Sequence, residues 1–358
     1  MNQNTKKLQD QGVSLWMDNI SRQMLDDKEL DRYINEFSIT GLTSNPSIFD
    51  KSIGQTDYYD SAIARLNKPE LNDEALFFEL AIEDIQRAAD AFLPVFHRTN
   101  GLDGFVSIEV SPLLAYDTES TLQSAKEIHR KVNRPNAFIK IPGTPEGVPA
   151  IEAAIAEGIP VNVTLLFSAE QYQAASMAYL QGIETRIKKG LNADVKSVAS
   201  LFVSRWDKAV EDEAPENLKN KLGIAVAQKT YVAYLEFLKS SRVQRIMNFG
   251  TSPQRLLWAS TGTKDPNASD ILYIKNLIAP YTINTIPDKT LMAFADHGEI
   301  GTSLPDNTTA ADKIIKQYAD LSVDYAQLAE QLQKEGAEAF NKSWNNLINS
   351  ISNKRSQL

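Results

Sequence analysis

A lysine stands inside an apolar run in residues 136–147, "NAFIKIPGTPEG". Lys140 is flanked by Phe138, Ile139 and Ile141, a pattern typical of a buried strand. An ammonium group is costly to bury, and loss of its proton relieves that cost. A neutral lysine amine is a nucleophile toward carbonyl groups. The alternative is a lysine that ends a strand and extends its flexible stem to water.

Other polar residues also stand in or beside short apolar runs. They are Asp18, Asn45, Glu109, Asn162 with Thr164, Ser200 and Ser260. With Lys140, the first three form a series of carboxylate, amide, carboxylate and lysine at the ends of four consecutive runs. This series suits carbonyl chemistry, in which an amine forms a Schiff base and carboxylates move protons.

Some of these residues also have a plainer explanation. Asp18, which precedes Asn19, could cap the helix that follows the first run. Asn45 precedes Pro46, so its side chain could serve the backbone of a turn. Glu109 is harder to explain in this way, because a carboxylate among apolar residues needs a partner.

Eight short runs are candidate strands: "GVSLWMDN", "SITGLTSNP", "GFVSIEVSP", "NAFIKIPGT", "PVNVTLLFS", "SVASLFVSR", "RLLWASTGT" and "YTINTIPDK". Amphipathic helical segments such as "STLQSAKEIHRKV" lie between them, which indicates βα units and a parallel sheet. Eight such units close into a (β/α)8 TIM barrel, whose active site lies at the carboxyl ends of the strands. A doubly wound open sheet is the alternative, but it would need fewer strands or a nucleotide fingerprint.

Two helical stretches exceed the needs of a barrel, at about residues 71–92 and in a C-terminal tail at about 312–352. We interpret both as additional helices packed on a single barrel domain of residues 1–358, because no Ser- or Gly-rich linker separates the tail. The segment "GTSLPDNTT" is the candidate joint.

The composition excludes several classes of function. The chain of 358 residues has a formal net charge of −9, which argues against a nucleic-acid partner. It contains no cysteine, and hence neither a disulfide nor a thiolate metal site. No apolar run approaches the roughly 18 residues of a membrane span, and the first residues lack the apolar core of a signal peptide. We therefore expect a cytoplasmic protein with no membrane partner.

The three histidines do not predict a metal site. His97, His129 and His297 each lie in a different helical segment, and none is paired with another at the spacing of metal ligands. The segment "GTPEG" lacks the spacing of a phosphate-binding P-loop. We therefore expect neither a metal nor an organic cofactor.

Four motifs together resemble the transaldolase family: "GLTSNPSIF", "VSIEV", "FIKIPGTPEG" and "VNVTLLFS". They occur in family order, within a resemblance that runs from about residue 12 to 298. Several are shared with the shorter fructose-6-phosphate aldolases, so they indicate the superfamily more firmly than the reaction. The long insertions and the helical tail resemble the larger transaldolases.

The resemblance implies a catalytic role for four residues. Lys140 matches the lysine that forms a Schiff base with C2 of the donor ketone. Asp18 matches the acid/base that takes the proton of the C4 hydroxyl during carbon–carbon cleavage. Glu109 matches the carboxylate that, with Thr164 and a water, moves protons while the carbinolamine dehydrates.

The resemblance also implies a set of substrate-binding residues. Asn45 and Asn162 match amides that bind hydroxyls of the dihydroxyacetone unit, and Ser200 and Arg205 match residues that contact donor hydroxyls and the phosphate. A plainer explanation of Arg205 is an ion pair with the nearby Asp207 or Glu211.

The chain departs from the family after the seventh strand. Other members carry a second phosphate-binding arginine there, whereas this chain has Ser260 and Lys264. Lys264 could supply the charge and Ser260 a hydrogen bond, but lysine binds phosphate as a point charge rather than a fork.

The function that these residues indicate is transaldolase activity in the pentose phosphate pathway, with sugar phosphates as substrates. Two alternatives remain at this stage: a lyase that releases free dihydroxyacetone, and a non-catalytic barrel that binds sugar phosphates. The sequence leaves open whether the chain is a monomer or a homodimer.

Overall fold

The computed structural model describes residues 1–358. Eight parallel strands form a closed barrel in chain order, in which the last strand pairs with the first. They are β1 (Ser14–Met17), β2 (Ile39–Leu42), β3 (Val106–Glu109), β4 (Ala137–Pro142), β5 (Val161–Leu166), β6 (Ser197–Phe202), β7 (Arg255–Ala259) and β8 (Ile283–Ile286). Each lies within one of the eight predicted runs, so the (β/α)8 TIM barrel is confirmed.

Helices follow the strands and cover the outside of the barrel. They are α1 (Gln3–Asp10), α2 (Arg22–Asp26), α3 (Glu29–Glu36), α4 (Pro46–Gly54), α5 (Asp60–Leu66), α6 (Asp73–Arg98), α7 (Thr118–Val132), α8 (Gly147–Glu157), α9 (Ala169–Lys188), α10 (Ser204–Ala209), α11 (Leu222–Lys239), α12 (Ser241–Met247), α13 (Leu272–Asn276), α14 (Asp288–His297), α15 (Thr309–Ala319) and α16 (Tyr325–Gln357). A short 3₁₀ helix spans Pro112–Leu114. None of the helices combines the length and the apolar character that crossing a membrane requires.

The alternation of side chains along each strand sets the height of every group inside the barrel. Residues two apart on a strand point to the same face. Trp16 therefore lies one layer below Asp18 inside the barrel, and Phe138 lies one layer below Lys140. The rings of Trp16 and Phe138 stack with centroids 6.1 Å apart. The ring of Phe105 stacks on Phe138 at 4.3 Å. This aromatic layer is buried, and the polar residues stand one step above it, toward the carboxyl ends of the strands.

The additional helices are longer than the sequence pattern indicates. The stretch predicted at 71–92 is part of α6, which continues to Arg98 with Pro94 inside it. The tail is not one stretch but two helices, α15 and α16, because Ser322 between them adopts a left-handed φ of 70° and Asp324 caps the second. The 33 residues of α16 pack against α4, α5 and α6.

Specific contacts fix the second half of α16 to the barrel's outer helices. The buried Trp344 meets the ring of Phe77 edge-on at 5.1 Å. Further along, Ser350 Oγ donates to Asp50 Oδ1 at 2.9 Å. Near the end of the helix, Arg355 Nη1 lies 3.1 Å from Asp73 Oδ1. These three contacts fix the position of the second half of α16 against the outer helices.

Candidate active site

The register of three neighbouring strands sets the centre of the site. Glu109 on β3 pairs with Lys140 on β4, and Lys140 in turn pairs with Asn162 on β5. The Nζ of Lys140 lies 3.6 Å from Oε2 of Glu109 and donates a hydrogen bond to the carbonyl of Ser44 at 2.9 Å. Lys140 is only 6% exposed, so it does not extend its stem to bulk water.

Glu109 is a buried carboxylate with little support from hydrogen bonds. Neither of its carboxylate oxygens has a hydrogen-bond partner within the protein, and only Lys140 forms an ion pair with it. Burial raises the pKa of Glu109, and the charge of Lys140 opposes that rise. The hydroxyl of Thr164, also buried, has no partner within the protein either. These two residues can therefore exchange a proton with a molecule placed beside them.

Asp18 directly follows β1 at the mouth of the barrel. Thr43 Oγ1 donates to Asp18 Oδ1 at 3.1 Å, and the same hydroxyl lies 2.7 Å from that of Thr285. Burial raises the pKa of Asp18, while Lys140, Thr43 and then Lys264 act to lower it. Asp18 is therefore a carboxylate with enhanced basicity.

Asp18 does not cap the helix that follows it. Ser21 caps α2 by accepting from the backbone N–H of Met24. The plainer explanation of Asp18 as a helix cap is therefore wrong.

Asn45 serves the backbone and faces the cavity as well. Its Oδ1 accepts from the N–H of Ile48 at 3.1 Å, as the cap of α4, and from Ser47 Oγ at 2.6 Å. Pro46 occupies the first position of that helix, where proline is favoured. Because Oδ1 takes both donors, Nδ2 is free to donate to a ligand.

A chain of three polar side chains crosses the strands beside Lys140. Ser200 Oγ donates to Asn162 Oδ1 at 2.7 Å, and Asn162 Nδ2 donates to Ser107 Oγ at 3.1 Å. Asn162 is fully buried. The chain fixes the orientation of its amide, and Ser200 provides the end that faces the cavity.

Arg205 lies half-buried at the start of α10 and forms no ion pair within 4.0 Å. The carboxylate of Asp207 accepts hydrogen bonds from the backbone N–H of Leu222 and from Tyr273 Oη, at 2.9 and 2.8 Å. Glu211 pairs with Lys208. The expected alternative, in which Arg205 pairs with one of these carboxylates, is therefore wrong, and its guanidinium is available for an anion.

The end of β7 presents Ser260 and Lys264. Ser260 adopts a left-handed φ of 54°, and its hydroxyl lies 2.8 Å from that of Ser204. Lys264 is exposed and forms no ion pair with a carboxylate within 4.0 Å. Both face the same cavity as Arg205.

A single cavity of about 210 Å³ joins most of these side chains. Eight of the ten predicted site residues line it: Asp18, Asn45, Lys140, Thr164, Ser200, Arg205, Ser260 and Lys264. The other two, Glu109 and Asn162, lie behind it, in contact with Lys140 and Ser200. The cavity therefore offers a lysine amine, the carboxylate of Asp18, amide and hydroxyl donors, and the cations Arg205 and Lys264.

Sequence reasoning missed several residues of the cavity wall. Thr43, Thr285, Phe202 and Phe340 all line it. The position of Thr285 at the end of β8 was a signal that could have found it. No pattern could have placed Phe340, which belongs to α16.

The histidines lie apart, on α6, α7 and α14. The structure groups no three His, Cys, Asp or Glu side chains in a geometry suited to a metal ion.

Comparison with known proteins agrees with this architecture. The family model described as Transaldolase/Fructose-6-phosphate aldolase matches residues 15–351. A transaldolase of Thiobacillus denitrificans (strain ATCC 25259 / T1) is 42% identical, over 97% of this chain and 99% of that protein. A transaldolase of Trichodesmium erythraeum (strain IMS101) is 40% identical, over 98% of this chain and 97% of that protein.

A closed parallel barrel with a buried lysine beside a carboxylate at its mouth defines a barrel protein equipped for carbonyl chemistry. The chain belongs to the transaldolase/fructose-6-phosphate aldolase family. Its similarity to transaldolases over nearly the full length of both chains makes it a transaldolase-type enzyme, a transferase.

Proposed function

We propose that the protein transfers a dihydroxyacetone unit from a ketose phosphate to an aldose phosphate, as a step of the pentose phosphate pathway. The donor is fructose 6-phosphate or sedoheptulose 7-phosphate, and the acceptor is glyceraldehyde 3-phosphate or erythrose 4-phosphate. The observation that carries the proposal is the buried Lys140, 3.6 Å from Glu109 and facing a cavity that Arg205 and Lys264 also line.

The reaction begins when the neutral amine of Lys140 attacks the C2 carbonyl of the donor and forms a carbinolamine. Loss of water then gives an iminium ion. Glu109 and Thr164 have the free buried oxygens needed to move these protons, through a water molecule. Burial raises the pKa of Glu109 above its usual range, which favours the protonated form and so lets Glu109 act as an acid as well as a base.

Carbon–carbon bond cleavage follows. Asp18 takes the proton of the C4 hydroxyl, the C3–C4 bond breaks, and its electron pair moves into the iminium to give an enamine. The aldose phosphate leaves as the aldehyde. The enamine then attacks the acceptor aldehyde, and the same groups complete the reverse sequence. The lysine is the electron sink, so the proposed reaction includes no cofactor.

The remaining polar residues hold the substrate. Asn45 Nδ2 and Ser200, which both line the cavity, bind hydroxyls of the dihydroxyacetone unit, and the hydrogen bond to Asn162 orients Ser200. Arg205, Lys264 and Ser260 form the phosphate end, where a guanidinium fork and a lysine point charge face the same anion. The acidic chain thus provides local positive charge where an anionic substrate needs it.

Borohydride trapping tests the nucleophile. The protein is incubated with fructose 6-phosphate, reduced and digested, and the peptides are examined by mass spectrometry. We expect a three-carbon adduct on Lys140 and none in Lys140→Arg, which keeps the charge but not the nucleophilic amine. The matched control is Lys196→Arg, at a lysine paired with Asp194 outside the cavity, and it should trap as the wild type does. An adduct on another lysine, or none, would contradict the proposal.

Transfer is separated from release by a second assay. With fructose 6-phosphate as donor, turnover of a transferase depends on added erythrose 4-phosphate or glyceraldehyde 3-phosphate. Undiminished turnover without an acceptor, with free dihydroxyacetone as product, would favour the lyase instead.

A further inference from the structure

The C-terminal helix α16 crosses the mouth of the barrel next to the two strands that carry the chemistry. Gln333 Nε2 donates to the carbonyls of both Gly143 and Leu165, at 3.0 and 2.9 Å. These carbonyls lie at the carboxyl ends of β4, which carries Lys140, and β5, which carries Thr164. Gln333 is buried, so bulk water does not compete for the two hydrogen bonds.

The next groups on the same face of α16 continue this contact. A Cβ added at Gly336 would lie 3.0 Å from Leu165 Cδ2, so the helix backbone approaches the end of β5 closely. Phe340 follows seven residues after Gln333, which is two helical turns and returns to the same face. The contacts of Gln333 and Gly336 with the ends of β4 and β5 therefore determine where the ring of Phe340 lies.

The ring of Phe340 faces the nucleophile. Its centroid is 6.0 Å from Lys140 Nζ and 6.4 Å from the ring of Phe202 on β6. Both rings line the cavity. The two rings form an apolar part of the cavity wall, which offers water no hydrogen-bonding partner.

We propose that Phe340 is a specificity-determining residue, which favours transfer over release by keeping water from the covalent intermediate. This inference depends on the proposed function, because it concerns the fate of the enamine on Lys140. The ring acts at two stages: it shields the enamine, and its face stabilises the cationic iminium nitrogen.

The enamine has two exits, which differ in what its C3 carbon takes up. In transfer, C3 forms a bond to the acceptor aldehyde, whereas in release C3 takes a proton delivered by water. Both exits then end alike: water adds to the resulting iminium, and the carbinolamine breaks down to the ketose product or to dihydroxyacetone, with the free amine of Lys140. An acceptor aldose phosphate is drawn in by Arg205 and Lys264, whereas water has no such anchor. An apolar roof therefore slows the second exit more than the first.

The test compares the two exits in a graded series of variants, Phe340→Leu, Phe340→Val and Phe340→Ala. Fructose 6-phosphate is the donor and erythrose 4-phosphate the acceptor, and the readout is dihydroxyacetone released per unit transferred. We expect this ratio to rise as the side chain shrinks, by at least about fivefold in the alanine variant, a factor that corresponds to ~1 kcal/mol between the two barriers. Gln333→Ala, which loosens the helix, should raise it to a smaller extent.

The control is Lys342→Ala, an exposed position of α16 two residues further on, which should leave the ratio at the wild-type value. Borohydride trapping on Lys140 accompanies each assay. A Phe340→Ala enzyme that traps the adduct but keeps the wild-type ratio would overturn the inference, as would a fall in both rates with no change in their ratio. If the alanine variant does not fold, the leucine and valine variants decide the matter by the same ratio. Absence of an adduct in the wild type would instead contradict the proposed function.

Discussion

The ion pair between Lys140 and Glu109 is unequal. Lys140 Nζ lies 3.6 Å from Glu109 Oε2 and 2.9 Å from the carbonyl of Ser44, so the amine has two partners. Glu109 has only the amine, and its oxygens accept no hydrogen bond. The carboxylate oxygens of Glu109 therefore remain available to a further donor, such as a water molecule beside Lys140.

Asp18 gives a first prediction, on the pH dependence of activity. As a base, Asp18 must be ionised, so kcat/KM should rise with pH through its pKa. Burial raises that pKa above the usual value of about 3.9 for aspartate, so the acidic limb should lie at correspondingly higher pH. Asp18→Asn should lower kcat by roughly 10²–10⁴-fold and remove the limb. The measurement is the pH profile of fructose 6-phosphate cleavage.

The control for Asp18 is Asn19→Ala, at a neighbour whose amide is hydrogen-bonded to Asp288 instead of facing the cavity. It should retain the acidic limb. An Asp18→Asn enzyme with an unchanged profile would show that another group is the base.

Arg205 and Lys264 give a prediction on substrate binding. Arg205→Ala should raise KM for phosphorylated donors by roughly 10- to 150-fold, as expected from the loss of hydrogen bonds to a charged group. Lys264→Ala should have a smaller effect, below about fivefold, because an exposed lysine contributes little. Lys264→Arg should tighten binding, since a guanidinium can hold phosphate in two places.

The internal control for this prediction is the donor itself. Fructose, which lacks the phosphate, should react with wild-type and variant enzymes at similar kcat/KM. Equal losses for fructose and fructose 6-phosphate would mean that Arg205 supports the fold and not the phosphate.

Asp207 gives a prediction on stability. Burial raises its pKa to about 6, although Tyr273 and the N–H groups of Gly223 and Leu222 donate to it. A carboxyl whose pKa is raised in the folded state favours folding while it is protonated. Its contribution to the free energy of unfolding is complete below the unfolded pKa of about 3.9 and is lost as the pH rises through about 6. Between pH 4 and 7 the loss should reach roughly 2 kcal/mol.

Denaturant unfolding of wild type and Asp207→Asn across this range measures the effect. The difference between the two free energies of unfolding should change with pH, because only the wild type titrates at this site. Burial also raises the pKa of Asp84 to about 6. Because Asp84 is present in both proteins, its contribution cancels in the difference between their free energies of unfolding. Parallel curves would show that Asp207 keeps one charge state throughout.

Trp344 gives a prediction on the attachment of α16. Its ring is buried against Phe77 and Phe78, with centroids 5.1 and 5.7 Å away. Trp344→Ala should lower the free energy of unfolding by about 3–5 kcal/mol, and Trp344→Phe by less. The measurement is urea unfolding, with the exposed Lys342→Ala as the neutral comparison. A loss below about 1 kcal/mol would mean that α16 is not anchored here.

The strands were predictable because both faces of a parallel barrel strand are covered. Every residue of β4 and β5 is buried, so each strand appears in the sequence as an apolar run interrupted only by Lys140 in β4 and by Asn162 and Thr164 in β5. Lys140 stands out for this reason. The order of strands in a barrel then places the ends of all eight at one mouth, which is how residues from Asp18 to Lys264 could be grouped from the chain alone.

Other features depend on contacts between distant parts of the chain. Phe340 contacts Lys140 although the two lie 200 positions apart in the chain, and the apolar pattern of a helix does not say which neighbour it covers. Leu165 adopts a left-handed φ of 59°, rare for a bulky side chain, where β5 shifts its register against β6. That backbone places its carbonyl toward Gln333, and no propensity of leucine predicts it.

The position of α16 in chain order has a consequence for biosynthesis. During translation, all eight strands and Lys140 leave the ribosome before residue 325, and the helix that roofs the cavity comes after them. A nascent chain can therefore close its barrel while the lysine still faces open solvent. The contacts of Gln333 with β4 and β5, and of Arg355 with Asp73, join segments more than 160 residues apart, so they form late and slowly. Full protection of the nucleophile is thus acquired only after α16 has been made and has docked.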